Sequence, residues 1–155
     1  MNLKAVLSLG ALAATGFFVF GKDKFSEYSN VLENLKMDIK GIRNISFNRE
    51  ISFKVDVQIS NPTNISIDIP GNQLVIKNLH FYTLSGKKLG TAFPNIADIN
   101  LPANNYRLIT NIPVSLSMAE IGNNIAEILD IIGDKDKLKI AADIEAFGKS
   151  FTINA

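Results

Sequence analysis

His80 is the first place to look for chemistry, because imidazole is the side chain whose charge changes near neutral pH. It is the one histidine in 155 residues. It stands between Leu79 and Phe81 on the polar phase of an alternating run, which reads as a solvated or rim side chain rather than a ligand or a base. The chain has no Cys, which excludes disulfides, thiol nucleophiles, thiolate metal sites and a lipid attached to Cys. A metal site would then rest on carboxylates, which suit hard cations. Asp134-Lys135-Asp136 comes nearest to a calcium loop, but the Gly and the terminal Glu are missing, so it reads as a charged turn. Asp23, Lys24 and Glu27 read as a solvated helix face. There is no Gly-rich phosphate loop, no Gly-x-Ser-x-Gly elbow and no carboxylate pair on a shared face. Asn44-Ile45-Ser46 and Asn64-Ile65-Ser66 are glycosylation sequons, which matter only in a eukaryotic secretory path. On these grounds the chain reads as a non-enzyme, with no catalytic, cofactor-binding or metal-binding residue to name.

Bulk composition narrows the partners. Hydrophobic residues make up 46% of the chain, which supports a real core, and the net charge is +1 from 16 basic and 15 acidic residues. A nucleic-acid binder normally carries a basic excess on one face. Aromatics amount to 8% with no Trp, so a stacking platform for single strands is not expected either. No small-molecule substrate is suggested. Lys far outnumbers Arg, and Ile and Asn are abundant, the mark of an AT-rich genome and a hint of bacterial or phage origin.

The elements that would position any site begin with an apolar run. Residues 3–20 are apolar apart from Lys4, Ser8 and Thr15, and Lys22 and Lys24 follow. Leu7, Leu9, Leu12, Phe17, Phe18, Val19 and Phe20 would form an anchor or an assembly helix. A span of the hydrocarbon core needs about 20 residues, and terminal Lys side chains can snorkel to the headgroups. The alternatives are a helix packed in an assembly and a cleaved secretory signal, for which Phe17 to Phe20 is a poor cleavage site. Phe25, Tyr28, Leu32 and Leu35 then continue at helical spacing.

From Leu35 onward the period becomes two. Leu35, Met37 and Ile39 alternate with polar residues, and Gly41 breaks the phase as a bulge would. Residues 51–60 alternate cleanly and end at Asn61-Pro62. Further strands are expected at 65–69, 74–84 and 89–93, with Ser85-Gly86-Lys87-Lys88 as a hairpin turn. Tyr106, Leu108, Thr110, Ile112, Val114 and Leu116 read as one strand that alternates without a slip, with Pro113 on the outward phase. One helix is expected next, with a capping box at Ser117 and Glu120, an apolar face of Ile121, Ile125, Ile128, Leu129 and Ile132, and a stop at Gly133. A last hairpin spans residues 138–153. The chain thus divides into a hydrophobic helix and linker at 1–34 and a domain at 35–155. The expected fold is mostly β: an antiparallel, immunoglobulin-like sandwich of about seven or eight strands with one inserted helix.

Three pieces of sequence carry a family resemblance. They are Phe53 to Thr63, which runs into Asn61-Pro62; Ser85 to Gly90, with Gly86, Leu89 and Gly90; and Ile99 to Ala103, with Pro102. In order and spacing they resemble the group 2 late-embryogenesis-abundant domain, also called the water-stress and hypersensitive-response domain, over roughly residues 35–155. The resemblance implies a folded seven-stranded sandwich without known catalytic residues, a desiccation or stress-protective association, and envelope attachment among bacterial relatives. The bacterial lipoprotein Cys is absent, so attachment would fall to the apolar helix. Two functions follow as expectations. The first is a sandwich anchored at a membrane or cell envelope, protecting or binding proteins or lipids. The second is a structural subunit of a large assembly such as a phage virion, its N-terminal helix buried against neighbouring subunits, with homo-oligomers also possible.

Overall fold

The computed structural model describes residues 26–154, except 69–73, 98, 123–124 and 147. The expected apolar helix, from Leu7 to Phe20, lies outside the described residues. Helix α1 (residues 26–34) comes first. Val31, Leu32 and Leu35 are fully buried and Tyr28 packs against the core, so the expected helical face is the one that docks.

Seven strands follow: β1 (Lys36–Phe47), β2 (Glu50–Asn61), β3 (Leu74–Thr83), β4 (Lys88–Ala92), β5 (Asn105–Ser117), β6 (Leu138–Ala146) and β7 (Lys149–Asn154). They form a three-stranded sheet in the order β1-β2-β5 and a four-stranded sheet in the order β4-β3-β6-β7. Every pair within the sheets is antiparallel. One core holds the sheets together. Phe53 of β2 meets Phe81 of β3 edge to face, with centroids 5.8 Å apart. In β2 the inward residues Ile51, Phe53, Val55, Val57 and Ile59 are all buried, as alternation requires when one face meets a core and the other meets water.

Register shifts three times in the three-stranded sheet: two of the shifts face Asp56, and the third lies between Arg43 and Ser46 on β1. On β1, Ile39 pairs with Val57 and Gly41 with Asp56, so Lys40 is an extra residue. The strand continues through Gly41 as a bulge rather than ending there. On β5, Val55 pairs with Ile112 and Val57 with Ile109, so Thr110 and Asn111 together oppose Asp56. A one-residue slip turns every following side chain to the other face. The expectation of unbroken alternation along β5 is therefore corrected. Ile112, Val114 and Leu116 are buried, but Tyr106 is 59% and Leu108 47% exposed. Asn111 takes a φ of 59°, and all four described non-Gly residues at positive φ are Asn, the side chain that tolerates this conformation best.

Two other expectations change. Residues 65–68 make no strand; Ile67 forms an isolated bridge with Leu101. The single expected helix is two, α2 (Met118–Ile121) and α3 (Ile125–Ile132). Gly122, at φ 67°, ends the first turn in a left-handed conformation that Gly adopts at little cost. The capping partner expected at Glu120 lies outside the described side chains. At the far end Gly133 donates to Leu129 O at 3.0 Å, the expected stop. Pro113 sits exposed on the edge strand β5, where its missing N–H costs little.

Candidate functional site

His80 lies on the polar face of β3 and is partly buried there. Its side chain is 16% exposed. Nε2 lies 2.7 Å from Asp143 Oδ2 and Nδ1 lies 2.9 Å from Thr91 Oγ1. Asp143 also accepts from Asn78 Nδ2 at 3.0 Å and from Thr152 Oγ1 at 2.9 Å. A polar row thus crosses the four-stranded sheet from β4 to β7. Burial pushes the Asp143 carboxyl up, but hydrogen bonds from Asn78, His80 and Thr152, with the charge of His80, outweigh it and hold the group below its ordinary value.

Hydroxyl, imidazole and carboxylate in line are the groups of a nucleophilic triad. The sheet register alone accounts for them here. His80 pairs directly with Thr91, Asn78 with Asp143, and Asp143 with Thr152, while His80 and Asp143 are diagonal neighbours. Cross-strand pairs of this kind are the ordinary unit of sheet cohesion. The row is invisible in sequence because His80 and Asp143 lie 63 residues apart.

The second node is Asp56, whose side chain is 13% exposed. Its Oδ1 accepts from the backbone N–H of Asn111 at 2.8 Å, and its Oδ2 accepts from the Arg43 guanidinium. Gly41 leaves room for it: a Cβ there would come within 3.3 Å of Oδ2. One carboxylate therefore faces a bulge on each neighbouring strand and is bonded to the bulge on β5.

The motif residues have structural roles. Asn61 is 1% exposed. Its Nδ2 donates to Ile65 O at 2.7 Å and Leu101 O at 3.1 Å, and its Oδ1 accepts from Thr63 N and Oγ1. This clasp joins residues 61–65 to Leu101, whose O also accepts from Ile67 N at 2.9 Å. Gly86, at φ 92°, turns the β3–β4 hairpin and donates to Thr83 O at 3.0 Å. Leu89 and Gly90 are buried in β4, while Pro62 and Pro102 are exposed beside the clasp. Asp134 caps a 3-10 turn by accepting from Asp136 N, the charged turn expected.

The Asn61 end of the three-stranded sheet carries a shallow depression of about 350 Å3, lined by Ser60, Asn61, Pro62, Asn104, Asn105 and Tyr106. Its lining is uncharged, and Tyr106 forms one wall. Sequence alternation misplaced Tyr106 and Leu108 on the inward phase; the only local signal of the slip is Asn111. Among the described residues, no group of three or more His, Cys, Asp or Glu is gathered for a metal ion, and no helix is long and apolar enough to cross a membrane.

No family model and no curated protein matches the sequence. Three solved chains align with it, among them the following two. A crystal structure of a protein from Archaeoglobus fulgidus covers 79% of this chain and 89% of its own, at 9% identity and a TM-score of 0.40. The solution structure of a protein provisionally described as late embryogenesis abundant covers 96% of this chain and 91% of its own, at 13% identity and a TM-score of 0.37. Likeness at this level leaves the functional reading to the chain's own residues.

Proposed function

We propose that this protein is a non-catalytic β-sandwich module held at a membrane or envelope by its N-terminal apolar segment, with a stress-protective or protein- and lipid-binding role. The observation that carries the reading is the docking of α1, the element next in sequence to that segment, on the core. The apolar run at residues 3–20, with Lys4, Lys22 and Lys24, leads into α1. Val31 and Leu32 of α1 are 0% and 1% exposed in the core, and β1 begins two residues after the helix ends. A single buried residue, Leu35, separates α1 from β1, so α1 is docked on the sandwich and lies next in sequence to the apolar run. The stress-protective part of the reading comes from the resemblance of residues 53–63, 85–90 and 99–103. Fractionation of native cells tests the proposal. The full-length protein should stay with membranes through an alkaline wash and be released by detergent; a soluble monomer without detergent would refute it.

A second reading, a subunit of a large assembly such as a virion, is favoured by Ile45 and Phe47. They stand 41% and 46% exposed on the β1 half of the β1–β2 hairpin, where a neighbouring subunit would cover them. Recovery in purified particles rather than in membranes would select it.

A further inference from the structure

We infer that the end of the three-stranded sheet formed by Lys36, Ser60 and Tyr106, with Leu108 beside it, rests in the headgroup region of a lipid bilayer. This rests on the membrane-anchored reading and names the surface that meets the lipid.

The first support is the phase of β5. Unbroken alternation from Ile112 would bury Leu108 and Tyr106. The bulge at Thr110 and Asn111 turns both outward, and Asp56 Oδ1 holds it at the Asn111 N–H. An alternation of apolar residues is thus redirected by the bulge, so that an aromatic and an aliphatic side chain face out on the same strand face.

The second support is position. Lys36 pairs with Ser60, and Ser60 with Tyr106, so the three form one row across the sheet. That row is the first of β1, two residues beyond α1. In the sequence, the apolar run lies directly N-terminal to α1. Of the exposed apolar groups on this sheet, Tyr106 and Leu108 lie nearest the start of β1. Ile45 and Phe47 lie at the other end of β1, on the order of 30 Å away at ~3.3 Å per residue.

The third support is chemistry. Tyr presents an apolar ring and a polar tip, which suits the boundary between acyl chains and headgroups. Lys36 is exposed in the same row and can lay its stem on apolar surface with its ammonium among phosphates. The depression beside Tyr106 is lined by neutral hydrogen-bonding groups. On the outer face of the other sheet, by contrast, Asn78, His80, Asp143 and Thr152 bond to one another.

The chain has no Cys, so single thiols can carry a fluorophore without background. Full-length Leu108→Cys, Ala13→Cys and Ser150→Cys variants, each labelled, would be placed in phosphatidylcholine–phosphatidylglycerol vesicles containing spin-labelled lipid. Ser150 is exposed on β7 and serves as the far-face reference. Loss of emission at positions 13 and 108, with none at 150, is the expected result. Loss at 13 with position 108 still in water overturns this inference and leaves the anchored reading intact. Position 108 shielded from an aqueous quencher but untouched by the lipid quencher means a protein contact, and overturns it as well. Quenching at all three positions means adhesion without a preferred face, which also overturns it. No loss at position 13 refutes the anchored reading and this inference with it.

Discussion

Asp56 and Asp143 hold equivalent places in the two sheets and are used in different ways. Each lies on the outer face of a strand flanked on both sides, β2 in one sheet and β6 in the other. Each stands opposite a register shift, at Gly41 and Asn111 for Asp56 and at Asn78 for Asp143. Asp56 bonds to a backbone N–H and a guanidinium. Asp143 bonds to side chains only. A carboxylate aimed at the backbone decides where the chain goes, and so which residues β5 shows to its surroundings. One aimed at side chains binds neighbouring strands and gives the sheet a response to acid, but leaves the register alone.

The comparison can be broken in order of expected effect. The largest loss should come from adding a second carboxylate one position along, on the inner face. Val57→Asp buries an unpaired charge where Val57 is 1% exposed, and denaturant unfolding should report a loss of ~3–5 kcal/mol or no folding at all. Asp56→Ala should cost about 2 kcal/mol, chiefly by leaving the Asn111 N–H without its charged acceptor; the ion pair to the exposed Arg43 adds little. Its distinguishing sign is local. Amide exchange should quicken at the Asn111 bulge and residues 106–109 of β5, while β3 and β6 keep their protection.

Asp143→Asn should cost about 1 kcal/mol at neutral pH, and its clearer effect is on pH dependence. The folded Asp143 carboxyl is held below the ordinary 3.8. Its contribution is therefore complete above that value and lost as pH falls through the lower folded value. Denaturation midpoints measured from pH 7 down into that range should fall less steeply for Asp143→Asn than for the parent. An equal fall in both would remove Asp143 from the acid response. The smallest effect belongs to Gln58→Asp. Gln58 is half-buried on the outer face and bonded only to Ser60 Oγ at 3.2 Å, so its unfolding midpoint should move by no more than ~0.5 kcal/mol.

What sequence could and could not reveal follows the same division. The phase of β2, the β3–β4 turn at Gly86, the docking face of α1 and the stop at Gly133 depend on residues close in the chain, and all were legible. The slip in β5 was not. It depends on a hydrogen bond between Asp56 and Asn111, 55 residues apart, and Asn111 alone does not distinguish a bulge from a solvated strand residue. Residues 65–68 depend on distant partners too: Ile67 exchanges backbone hydrogen bonds with Leu101, and the Asn61 amide reaches the same Leu101 O, 40 residues on. The Asp143 row needed the β3–β6 register.

The phase of β5 decides which side chains the three-stranded sheet presents outward, and it is the structural claim to test most directly. Strict alternation puts positions 108 and 112 on the same face; the bulge puts them on opposite faces. Thiol-labelling rates of Leu108→Cys and Ile112→Cys in the folded protein separate the two. Fast labelling at 108 with protection at 112, where Ile112 is 3% exposed, is the predicted result. Equal rates at the two positions would contradict it.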